Sequence, residues 1–94
     1  GAVAMSGSYA LVAVDEVGLD VFDITDPAKP AMVGSYPVAG FTWDVAVNGN
    51  LAFLATDNAG VEIVDITDPA APQPVNSLDT AGRALGVATV DDLL

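Results

Sequence analysis

The chain contains the same sequence pattern twice, and this repetition constrains its fold more than any other feature. The residues FDITDPAKP at 22–30 return as VDITDPAAP at 64–72. When residues 1–42 are aligned without a gap to residues 43–84, 18 of the 42 pairs are identical. A period of about 40 residues is typical of stacked repeat arrays and propellers, in which each repeat is one supersecondary unit.

Each copy of the repeat predicts four short β-strands. In the first copy the predicted strands cover residues 3–5, 9–14, 19–24 and 32–36, and in the second copy 45–47, 51–56, 61–66 and 75–78. The second strand is almost continuously apolar, as expected of a strand covered on both faces. The segment Asn48 to Asn50 has the Asn-Gly signal of a tight hairpin with positive φ, and Gly18 and Gly60 suit the turn between the second and third strands. Pro74 indicates that the fourth strand lies at a sheet edge, because proline cannot donate to a ladder.

Four short antiparallel strands in a repeat of this length make one propeller blade. The predicted fold class is therefore all-β, with two four-stranded antiparallel blades per chain. Residues 1–42 form the first blade and residues 43–84 the second, and residues 85–94 form a partial first strand of a third repeat. Because blades stack face to face, apolar side chains are expected on both sides of the inner strands.

The third strands and the turns after them resemble a known repeat. LDVFDITDP at 19–27 and VEIVDITDP at 61–69 resemble the LVIVD repeat of bacterial and archaeal propeller proteins, and residues 45–60 are similar to its first two strands. Phe22, in place of the usual aliphatic residue, and the shortened third copy are departures. The resemblance implies a propeller, often in secreted or cell-surface proteins, and it implies no enzymatic activity.

Two blades raise a problem of exposed apolar area. Propellers close with about four to eight blades, and two blades alone would expose broader apolar faces than soluble monomers usually tolerate. We therefore expect identical chains to associate head to tail into a ring. A homotrimer would supply six blades and a homotetramer eight. Residues 3–5 and 87–89 are both first-strand copies, so either an end frays or residues 87–90 fill the first-strand position of the next chain.

The charge of the chain is one-sided. It has 13 Asp and Glu residues against two Lys and Arg residues, no His, and a net charge of −11. Such a surface repels phosphate groups, so we expect no nucleic-acid partner. We also expect no membrane insertion, because no apolar run reaches the roughly 18 residues of a membrane helix. The charge suits a cation or a basic protein as a partner, or it only keeps an apolar protein soluble.

One polar motif recurs in both copies. It consists of Asp23, Thr25, Asp26 and Pro27 in the first copy, and of Asp65, Thr67, Asp68 and Pro69 in the second. Its carboxylates could bind calcium, which takes six to eight oxygen ligands. The stronger interpretation is a structural turn, since Asp-Pro favours turn initiation and an Asp side chain bonds backbone N–H groups two residues on. A structural role in each blade also explains why the motif is repeated.

The loops of the two copies differ at positions suited to binding. The connections between strands two and three carry Asp15, Glu16, Asp57 and Asn58, and those between strands four and one carry Phe41, Trp43, Asp44 and Arg83. By analogy with propellers, both sets of loops lie on one face, which we predict to be the ligand or partner face. Trp43 could anchor a partner or plug the blade junction. Arg83 could pair with an acid near the channel or form a solvated ion pair.

Catalysis has little support in the sequence. Without His or Cys, the usual general bases and nucleophiles are missing. Carboxylate pairs could hydrolyse glycosides, but no spacing singles out a pair. We therefore predict a non-catalytic protein without a cofactor that assembles into a ring and serves as a structural or protein-interaction scaffold. The alternatives are a propeller face that binds calcium or a small ligand through its acidic loops, and an excised or engineered repeat unit that only self-assembles.

Overall fold

The computed structural model describes residues 2–38, 40–57 and 60–78, and its regular structure is all β. Sheet 1 contains β1 (Ala2–Ser6), β2 (Tyr9–Val14), β3 (Gly18–Asp23) and β4 (Ala31–Pro37). Sheet 2 contains β5 (Thr42–Asn48), β6 (Leu51–Thr56), β7 (Gly60–Asp65) and β8 (Gln73–Leu78). In both sheets the strands are antiparallel and lie in chain order. The all-β prediction is confirmed, and two such sheets are consistent with propeller blades.

The predicted strands agree closely with the observed ones, apart from β5. This strand begins at Thr42, whereas its predicted start is Val45. The ladder with β6 passes from the pair Thr42 and Thr56 to the pair Asp44 and Ala55, so Trp43 is an extra residue in a β-bulge. Alternation of apolar residues does not reveal a bulge, because the bulge breaks the period of two on which the prediction depends. The predicted third copy, residues 85–94, lies outside the described residues.

The first hairpin of each sheet is confirmed, and in sheet 2 its loop lies within the predicted segment, Asn48 to Asn50. Asn48 pairs with Leu51, so the loop residues are Gly49 and Asn50. Gly49 has a φ of 58°, and no non-glycine residue in the described part of the chain has a positive φ. A positive φ at the first loop residue only is the pattern of a type II′ turn, in which glycine takes that position.

The core lies between the two sheets. Leu11, Leu19 and Val21 of sheet 1 and Leu54 and Val64 of sheet 2 are all fully buried and belong to one apolar cluster. The sheets meet mainly where β1 and β2 lie against β5. Full burial of an aliphatic side chain of this size contributes about 1.5–3 kcal/mol. This junction therefore provides most of the apolar burial in the described structure.

A second contact joins the sheets at their outer ends. Gly34 in β4 packs against the turn that follows β7, so closely that a Cβ at position 34 would lie 3.1 Å from Ala70 Cα and nearer still to the Pro69 carbonyl oxygen. On the same side of the sheet, the Tyr36 hydroxyl donates a long hydrogen bond of 3.5 Å to Glu62 Oε1. Burial, together with the charge and hydrogen bonding of Glu62, raises the pKa of Tyr36 above its ordinary value of 10.0.

Replacing Glu62 by Gln should lower the pKa of Tyr36 towards 10.0, because it removes the negative charge that disfavours the phenolate. Burial should keep the pKa somewhat raised. Ultraviolet titration in a Tyr9→Phe background isolates Tyr36, since the chain has two tyrosines. Glu16→Gln makes the same charge change in an exposed loop and should leave the titration unchanged. A raised pKa stabilises the fold below pH 10, and this contribution is lost as the pH rises through the folded-state pKa.

Two threonines pair across β5 and β6 in full burial. Thr42 and Thr56 are both 0% exposed and are direct partners in the ladder. Thr56 Oγ1 donates a hydrogen bond of 3.0 Å to the Gly60 carbonyl oxygen. Thr42 Oγ1 has no hydrogen-bond partner within the described ranges. A buried hydroxyl without a partner lowers the free energy of unfolding, since it has lost its bonds to water.

This pair provides a matched test. Thr42→Val should leave the free energy of unfolding unchanged or raise it by about 1 kcal/mol, because it removes an unpaired hydroxyl. Thr56→Val should lower it by about 1–2 kcal/mol, because the Gly60 carbonyl loses its donor. Denaturant unfolding of both variants measures the difference. Equal losses would contradict the assignment of Thr42 as the unpaired member.

Candidate functional site

The acidic motifs form the same turn in both sheets. Asp23 Oδ1 accepts hydrogen bonds from the backbone N–H of Thr25 at 2.8 Å and from its hydroxyl at 2.7 Å. Asp65 accepts the same two bonds from Thr67, at 2.8 Å and 2.6 Å. The second acid of each motif accepts a bond of 3.1 Å from the backbone N–H two residues on, which belongs to Ala28 after Asp26 and to Ala70 after Asp68. These are the local bonds by which Asp organises a turn.

The hydrogen bonds of this turn favour the ionised form of its first acid. The Thr25 hydroxyl, and then the Thr25 backbone N–H, lower the pKa of Asp23 below its ordinary value of 3.8. Thr67 lowers the pKa of Asp65 in the same way. A lowered folded-state pKa adds stability that is present above pH 3.8 and is lost as the pH falls through the folded-state value. The turns should therefore loosen only in strong acid.

Replacing Thr25 by Val should raise the pKa of Asp23 towards 3.8, because it removes the hydroxyl donor that contributes most to the lowering. The backbone N–H remains, so the pKa should stay somewhat low. NMR titration of the carboxyl carbons measures both sites, and Asp65 serves as the internal control. Thr67→Val should have the reciprocal effect. A change of equal size at both acids would show that the effect is not local.

The predicted partner face is built around the chain that links the sheets. The backbone N–H of Thr42 donates a hydrogen bond of 2.8 Å to the Asp15 carbonyl oxygen in the β2–β3 turn. The backbone N–H of Asp57, after β6, donates one of 2.9 Å to the Phe41 carbonyl oxygen. The connection at Phe41 and Thr42 is therefore joined to the β2–β3 turn of sheet 1 and to the end of β6 in sheet 2. Asp15, Phe41 and Asp57 lie at one end of the junction.

An aromatic pair stands at this end. Phe41 and Trp43 are stacked, with ring centroids 5.3 Å apart and an angle of 25° between the rings. Trp43 Nε1 donates a long hydrogen bond of 3.4 Å to Asp57 Oδ1. Trp43 keeps 37% of its surface exposed. The bulge at Trp43 takes its side chain out of strand alternation, a common use of bulges near binding sites.

The other predicted residues of this face contribute differently. Asp44 Oδ1 accepts a bond of 2.9 Å from the backbone N–H of Val45. Glu16 is exposed in the β2–β3 turn. Asn58 and Arg83 lie outside the described residues. Val17 was not among the predicted residues of this face, and it is 48% exposed beside Glu16. Its position in a turn rather than a strand is the sequence signal that could have indicated an exposed apolar side chain.

Among residues 2–38, 40–57 and 60–78, no three Asp or Glu side chains come together as a group that could hold a metal ion. In the same ranges there is no helix with the length and hydropathy needed to cross a membrane.

Each sheet has a second apolar face that the other sheet does not cover. Strand register places the apolar members of outer face 1, in sheet 1, on the side away from sheet 2, where Asp20 and Ser35 also lie: Val3, Met5, Ala10, Val12, Phe22 and Met32. It places the members of outer face 2, in sheet 2, on the side away from sheet 1: Ala46, Phe53, Val61, Ile63, Asn76 and Leu78. Val3 is 61% exposed, Met5 53% and Leu78 52%.

The outer faces correspond, position by position, to the two sides of the buried junction. Val12 on outer face 1 is the repeat counterpart of buried Leu54, and Phe22 that of buried Val64. On outer face 2 the counterparts of buried residues Leu11, Val21 and Leu19 are Phe53, Ile63 and Val61, in that order. Two open apolar faces were predicted from the sequence, and the strand register now shows which side of each strand forms them.

Comparison with known proteins identifies a repeat family. No curated protein and no solved structure matches it. The LVIVD repeat matches twice, at residues 1–38 and at residues 39–80. The two matches follow the two sheets, and together they cover most of the chain. The protein therefore belongs to the LVIVD repeat family.

Proposed function

We propose that this protein is a non-catalytic propeller repeat protein that associates head to tail with copies of itself into a ring. The ring would serve as a structural or protein-interaction scaffold. One observation carries the proposal: the two outer faces are repeat counterparts of the two sides of the junction inside the chain. Outer face 1 of one copy therefore has the residues to pack on outer face 2 of the next.

The physical reason for association is the exposed apolar surface. Val3 and Met5 on outer face 1, and Leu78 on outer face 2, each leave more than half of their surface in water. Burying such side chains contributes about 25 cal/mol for each Å² of apolar surface removed from water. Because the two faces differ, the contact is heterologous, and a heterologous contact closes into a ring when its rotation fits. Three copies would supply six sheets and four copies eight.

The end of the junction with the aromatic pair gives such a ring a surface for partners. Phe41 and Trp43 are held by the linking chain, and Asp15 and Asp57 lie beside them. Every copy would present the same arrangement on the same side of the ring. With a net charge of −11 per chain, this surface favours a basic protein or a cation. The lack of His and Cys in the sequence supports a role without catalysis.

Sedimentation equilibrium tests the association. The expected mass is three or four times the chain mass of 9.4 kDa. Met5→Glu and Leu78→Glu each place a charge on one outer face, and each should give a monomer. Ser8→Glu adds the same charge in the exposed β1–β2 hairpin and should leave the assembly intact. A wild-type species of 9.4 kDa would contradict the proposal.

Mixing the two face variants tests the head-to-tail arrangement. The Met5→Glu variant keeps outer face 2, and the Leu78→Glu variant keeps outer face 1. Together they should form a 1:1 dimer that grows no further, since each partner has one blocked face. If either variant alone forms a dimer, the contact joins like faces and the heterologous arrangement is wrong.

A further inference from the structure

The junction inside the chain depends on a glycine that the second copy of the repeat lacks. Gly34 faces sheet 2 and lies under the Pro69–Ala70 turn. The counterpart of Gly34 in the second copy is Asn76 in β8. The counterpart of the Pro69–Ala70 turn is the Pro27–Ala28 turn of sheet 1. In a contact between two copies, the Pro27–Ala28 turn of one would therefore meet Asn76 of the other.

The two positions are equivalent in structure as well as in sequence. Gly34 pairs with Val21, immediately before a break in the β3–β4 register. Asn76 pairs with Ile63, immediately before the same break between β7 and β8. Strand alternation therefore points the Asn76 side chain to outer face 2, as position 34 points to the buried junction.

A side chain at this position blocks the close approach of the turn. Any Cβ at position 34 would contact backbone atoms of Pro69 and Ala70, which cannot move aside as a flexible side chain can. Asn76 has a Cβ and a longer side chain, whose Oδ1 accepts a bond of 2.8 Å from the Ser77 N–H. The contact between Tyr36 and Glu62 is also not repeated, because its counterparts are Leu78 and Asp20.

We infer that Asn76 sets the strength of the contact between copies, an inference that rests on the proposed head-to-tail association. Asn76 holds the Pro27–Ala28 turn of an incoming copy away from β8, so sheet 1 of a second copy packs on outer face 2 without the close outer contact found inside the chain. The chain then has a tight internal junction and a looser external one. Its two sheets are not interchangeable.

The mixed dimer provides the measurement, because it contains a single external contact. Asn76→Gly is added to the Met5→Glu variant, and its affinity for the Leu78→Glu variant is measured by sedimentation or calorimetry. Relief of overpacking at one backbone contact should tighten the dimer about tenfold. Ser77→Gly in the same background controls for the general effect of a glycine in β8, because the Ser77 side chain lies on the opposite side of this strand from Asn76. This variant should leave the affinity unchanged or weaken it.

The outcomes separate the inference from the proposed function. Tightening by Asn76→Gly alone supports the inference. A dimer of the same affinity with and without Asn76→Gly overturns the inference and leaves the proposed association standing. A dimer that forms only with Asn76→Gly supports the inference and contradicts association of the natural chain. No dimer with either residue at position 76 overturns both.

Discussion

Neither sheet of this protein can bury its apolar side chains by itself, and the rest of the structure follows from this constraint. The strands have apolar residues on both sides, so each sheet needs a neighbour on each face. The junction of Leu11, Leu19 and Val21 with Leu54 and Val64 satisfies one face of each sheet. The alanines of β2 and β6 have small side chains, which allow the two sheets the close approach that full burial requires. The proposed association applies the same solution to the other two faces.

The repeated acidic turn connects local chemistry to this junction. Asp65 and Asp68 organise the chain after β7 through bonds to nearby backbone N–H groups. The turn they shape carries Pro69 and Ala70 to Gly34 of the other sheet. The acids therefore contribute to the contact between the sheets through the turn that they organise. This explains how a motif that resembles a ligand site can serve architecture.

Features with a local or periodic signal could be predicted from the sequence, and features that depend on contact between sheets could not. The repeat period and the alternation of apolar residues predicted eight strands, with β2 and β6 at their observed bounds. The bulge at Trp43 escaped prediction because it interrupts the alternation. The role of Gly34 escaped because its partner belongs to the other copy of the repeat, and nothing in the residues beside it indicates a close approach.

The edge strands β4 and β8 also hinder one route to aggregation. β4 and β8 are edge strands, and each has a break in its ladder and a proline, Pro37 in β4 and Pro74 in β8. Bulges and prolines on an edge hinder the addition of further strands. Extension of the sheets into a fibril of the amyloid type is therefore obstructed at the outer rim. The proposed association uses the apolar faces of the sheets, whereas the addition of strands is hindered at β4 and β8.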